Sequence, residues 1–149
     1  MRFSECRKRP ILDTATAQQV GRVDGFAMDA AGRCIHAVRV GKSHDGSVLP
    51  WEQVKGFGPD AVTVESASSV RRSDGGLDEA GDLTGTRVLS ERGFELGTVR
   101  DVEFDPSTGS LLELVLDQRS IPGDDLLGYG SYAVVVRHPA EVTVGSTPA

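Results

Sequence analysis

The sequence predicts an all-β protein built as two tandem small β-barrels of about five short strands each, packed together or linked. Three observations predict it. The stretch 49–64, LPWEQVKGFGPDAVTV, returns without a gap at 121–136 as IPGDDLLGYGSYAVVV, so one small β unit is used twice. Eighteen glycines in 149 residues supply the turns that short strands need. No long amphipathic helical period separates the strand candidates, which excludes βαβ units and a parallel sheet.

In chain order, residues 1–9 read as a flexible N-terminus carrying the basic group Arg2, Arg7, Lys8 and Arg9. The first barrel spans 10–66. Its opening strand starts at Pro10, tolerated at a strand start or edge. The next strand, 20–29, bends at Gly25, and 34–40 returns after a turn at 29–32 as a hairpin. Strict alternation puts Cys34, His36, Val38 and Val40 on one face. A strand near 47–54 ends or bends at Pro50, the glycine turn 56–60 follows, and 61–65 closes the unit. Residues 67–82 are polar and glycine-bearing and read as a linker. The second barrel, 83–139, repeats the order, with Leu112, Leu114 and Leu116 in the places of His36, Val38 and Val40. Residues 140–149 read as a flexible tail.

A net charge of -6 with pI about 5.0 argues against a general nucleic-acid surface. The two cysteines form no CxxC pair and no Cys/His run has metal-ligand spacing, so no zinc site is expected. Cys34 reads as a small buried hydrophobe and Cys6 as a free thiol in a loose end. With no secretory leader and no apolar run of about 20 residues, the expectation is a cytoplasmic protein without a membrane span.

The order G-x-V strand, aspartate-bearing turn, valine-ending strand, LPW-E-x-V, then G-x-D-A-V-x-V resembles the PRC-barrel family. That is the small barrel of the photosynthetic reaction-centre H subunit and of the C-terminal domain of the bacterial ribosome maturation factor. The second half, LTGTRVLSERGFELGTVRDVEFDPSTG, is similar to the family's opening half. The resemblance implies a bacterial, non-enzymatic interaction, scaffold or adaptor protein that docks another cytoplasmic protein. A homodimer is one form this could take. The alternative is a ribosome or RNA-processing assembly factor that binds a basic ribosomal protein through an acidic surface.

The residues themselves show no catalytic signature and indicate no cofactor and no metal. G-x-S-x-G is absent. Glu52 and Asp124 are repeat-equivalent and so lie in different barrels, and Asp101, Glu103 and Asp105 alternate as a solvated face. His44 and His138 read as solvated loop residues. The partner-binding candidates are Leu49, Pro50, Trp51, Glu52, His36 and Arg39. Trp51 has two readings, a plug at the barrel end or a half-exposed anchor for a partner. Its repeat counterpart is Gly123, so the two units are not interchangeable.

Overall fold

The computed structural model describes residues 1–29, 33–41, 47–72, 83–130 and 132–139. Among these residues the protein is all-β, with one four-residue α-helix at Phe3–Cys6. The first unit holds β1 (Pro10–Asp13), β2 (Gln19–Asp29), β3 (Cys34–Gly41), β4 (Val48–Pro50), β5 (Val54–Phe57) and β6 (Val62–Val64). They form one sheet in the order β4-β3-β2-β1-β6-β5. The second unit holds β7 (Arg87–Ser90), β8 (Glu95–Thr98), β9 (Asp101–Phe104), β10 (Leu111–Val115), β11 (Ser120–Pro122), β12 (Leu126–Tyr129) and β13 (Val134–Val136). Its two sheets run β11-β10-β9 and β12-β13-β7-β8. Counting β8 and β9 as one strand interrupted at Val99 and Arg100, the two orders are the same.

Two expectations about the sheets are corrected. Each unit contains one parallel pair, β1 with β6 and β7 with β13, because the first and last strands of the unit lie side by side. Nor, among the described residues, does any sheet close on itself by hydrogen bonds. Instead the two edge strands β4 and β5 are joined through the three-residue 3-10 turn Trp51–Gln53, which holds the curled edges together. Gly123–Asp125 does the same for β11 and β12.

Bulges explain the main departures in side-chain direction. The pairings Ala27↔Ala37 and Met28↔Ile35 leave His36 as the extra residue on β3. One extra residue reverses the alternation. His36 is therefore exposed, while Val38 and Val40 stay buried, so the shared face expected for them does not form. Leu112 is displaced likewise between the pairs Leu111↔Phe104 and Glu113↔Glu103, and is 51% exposed. Matching shifts displace Val20 and Leu96, and again Lys55 and Leu127. Three bulges thus recur at equivalent places in the two units.

The main core runs through both units, beside a small separate cluster of Ala27, Ala37 and Val48. At its centre Phe3 stacks on Phe26, with ring centres 4.1 Å apart, and both rings lie 5.5 Å from Phe104. The N-terminus is consequently packed, contrary to the expected loose end: Phe3 and Cys6 are buried. Burial pushes the Cys6 thiol up to about 11. The acidic side chains of β9 hold this segment in place. Asp101 accepts from the Ser4 amide at 3.1 Å, and Glu103 pairs with the Met1 ammonium and with Arg2. Those contacts hold the Glu103 carboxyl below its usual range, the hydrogen bond from the ammonium contributing most. Arg9, expected to be solvated, donates to the carbonyls of Gly58 and Glu5. Cys34 is half-buried, short of the full burial expected.

The stretch expected as a linker begins in ordered structure. Ala67–Ser69 forms a 3-10 turn, Val70 is buried, and Arg71 exchanges main-chain hydrogen bonds with Val48. Residues 73–82 of that stretch, the tail 140–149 and His44 lie outside the described residues. His138 is tied down: its amide donates to Glu91 and its Nδ1 lies 2.9 Å from the Ser90 hydroxyl.

Candidate functional site

The site is built on the seam between the units. The start of β3 meets the start of β10 in an antiparallel bridge, Cys34 opposite Ser110. The Ile35 amide donates to the Gly109 carbonyl (2.8 Å), and the Leu111 amide donates to the Arg33 carbonyl (2.9 Å). Each of these residues and its repeat counterpart stand 76 positions apart in the chain, as Cys34 and Ser110 do. Exchanging the units therefore exchanges the two hydrogen bonds. An internal pseudo-twofold passes between Cys34 and Ser110.

Arg33 and Gly109 are equivalents on this axis, and both take a left-handed backbone, with φ of 52° and 80°. Their side chains make the difference. The Arg33 guanidinium crosses the seam and its Nε donates to the Leu126 carbonyl at the start of β12 (2.9 Å). Gly109 has no side chain, and the Trp51 indole covers it. A Cβ at Gly109 would lie 2.8 Å from Trp51 Cε2. The indole also stacks on Phe57 (5.7 Å between centres) and meets Phe104 edge-on (6.5 Å).

Clefts lie on either side of this ring. One, of about 370 Å³, is lined by Ile35, His36, Pro50, Trp51, Glu52 and Arg71. The other, of about 410 Å³, is lined by Trp51, Val54, Lys55, Gly56, Phe57, Pro106 and Ser107. Pro106 and Ser107 belong to the turn between β9 and β10, so this second cleft spans both units. Ser107 donates to the Asp105 carboxylate through its amide and hydroxyl, which fixes the turn and lowers the Asp105 pKa.

Four of the six partner-binding candidates, His36, Pro50, Trp51 and Glu52, converge on the first cleft. Leu49 is fully buried beneath it. Arg39 lies on β3 opposite Gly25 and Val48, half-buried and apart from the residues lining the cleft. Sequence reasoning missed Ile35, Arg71, Lys55, Pro106 and Ser107. Register counting along the repeat could have found Lys55, which is the bulge residue equivalent to Leu127. Nothing local marks Pro106 and Ser107 as neighbours of Trp51, since the seam brings them there.

Among the described residues, no group of three or more His, Cys, Asp or Glu side chains is placed to hold a metal ion. Among the same residues, no helix is long and apolar enough to cross a membrane. No curated protein matches the chain. Residues 76–144, which contain the second unit, match the family model of the PRC-barrel domain.

Proposed function

We propose that the chain is a non-catalytic protein-interaction module, a scaffold or adaptor, that docks another protein on the seam at Trp51. The first unit, residues 10–66, acts in this reading as a second barrel of the same kind. The shared strand order and three equivalent bulges support that assignment. One observation carries the docking site: a half-exposed tryptophan stands between two clefts on a surface to which both units contribute. Large aromatic rings that are anchored on one side and open on the other are the usual hot spots of interfaces. His36, Glu52 and Arg71 give the rim polar groups of both kinds.

Affinity capture with the intact chain and with Trp51→Ala, each checked for folding by circular dichroism, tests the reading. Partners retained by the native chain should be depleted about 30-fold or more by the substitution, as for a hot spot of about 2 kcal/mol. Unchanged retention by the folded variant would overturn it.

The acidic balance of -6 favours a second reading, binding of a basic ribosomal protein during ribosome assembly. Salt-sensitive co-sedimentation with small-subunit particles is its expected signature.

A further inference from the structure

β5 is the last strand of its sheet, and among the described residues no strand pairs with its outer edge. An open edge presents main-chain donors and acceptors to any extended segment that can reach it, and proteins commonly guard such edges. The two units differ in this respect. At β12, the equivalent strand, the Arg33 guanidinium occupies the Leu126 carbonyl from across the seam. At β5 the corresponding position across the seam is Gly109, which offers no side chain, and the space beside the strand is a cleft of about 410 Å³. All four residues of β5 line that cleft, with Trp51 on one side and Pro106 and Ser107 on the other.

We infer that the partner is bound by strand addition: an extended segment of another protein pairs along β5 inside this cleft. The inference rests on the docking reading above and names its occupant. The lining dictates the chemistry of that segment. Main-chain pairing supplies attachment, and alternate side chains point into the cleft or away from it. The inward positions are apolar, because they meet Trp51, Val54 and Phe57. Among the described residues, Lys55 is the one charged side chain in the lining, so a carboxylate on the bound segment complements it.

The test uses the intact chain as bait for a displayed library of random seven-residue peptides, with the enriched peptides then synthesised. The enriched sequences should alternate apolar residues and carry an acidic residue. Binding should slow hydrogen exchange at the main-chain amides of Val54–Phe57. Lys55→Glu, which reverses the charge that the bound carboxylate meets, should weaken binding at least 10-fold. Ser107→Arg, which fills the cleft from the opposite wall, should do likewise without touching the sheet. If peptides bind and are lost with Trp51→Ala, yet ignore both substitutions and leave exchange on β5 unchanged, strand addition is wrong and the docking reading survives. If no peptide is enriched, or binding also ignores a folded Trp51→Ala, both fall.

Discussion

The two units share a strand order and three bulges, yet they meet the seam with opposite means. The first unit sends a guanidinium across it from Arg33, and the second offers a bare Gly109. Between β4 and β5 stands Trp51, and between β11 and β12 stands Gly123. Those choices are linked. A Cβ at Gly123 would fall on the main chain of Leu111, so this corner admits no side chain, whereas the first unit's corner is built around the largest one. The bulge positions diverge in the same way, His36 and Lys55 in the first unit against Leu112 and Leu127 in the second. An inherited backbone pattern can therefore be kept while the chemistry at its few outward-turned positions is rewritten.

The comparison breaks most severely if the units prove to have separate cores. Phe104 belongs to the second unit but contacts Phe26, Trp51 and Phe57 of the first, and Phe3 of the N-terminal segment. Phe104→Ala should cost about 3–5 kcal/mol, with tryptophan fluorescence and circular dichroism following one urea transition. Two separated transitions, with Trp51 reporting an unaltered first unit, would show that the shared core is not cooperative.

The pseudo-twofold can be sharpened by covalent means. Cys34 and Ser110 are flanked by their neighbours' hydrogen bonds and so form a non-hydrogen-bonded pair, where Cα atoms lie about 4.5 Å apart, within disulfide range. Ser110→Cys should oxidise readily with Cys34 and stabilise the chain by about 2–4 kcal/mol, lost on reduction. Failure to form the bond under mild oxidant, with mass spectrometry showing all three thiols free, Cys6 among them, would displace the axis.

The smallest expected effect separates the tight corner of the second unit from the strand that follows it. Gly123→Ala should destabilise by about 1–3 kcal/mol through overpacking against Leu111. At Gly128 the added methyl meets nothing, and Gly128→Ala should be neutral or stabilise by about 0.4–1 kcal/mol. Equal effects in thermal denaturation would remove the distinction.

The repeat was legible because paired glycines and alternating valines are local signals, and both survive in the structure as β5–β6 and β12–β13. His36 shows what was not. Its direction is decided by a register shift against β2, a property of two strands that the alternation in one cannot carry. The burial of Phe3 was hidden for a related reason. Four helical residues make no periodic pattern, and its place is made by Phe26 and Phe104, one of them 101 positions away. The candidate site was half-visible in the same sense. Pro50, Trp51 and Glu52 are contiguous and line the first cleft, but the second cleft takes Pro106 and Ser107 from the other unit.

The seating of the first residues on β9 sets an order for synthesis. Main-chain hydrogen bonds join Met1 to Phe104 in both directions, so the chain's opening segment waits for β9 to leave the ribosome before it can settle. Until then Phe3, Phe26, Trp51 and Phe57 lack the ring that ties them together. The apolar rings of the nascent first half therefore stay without this cover for the time needed to translate the second half.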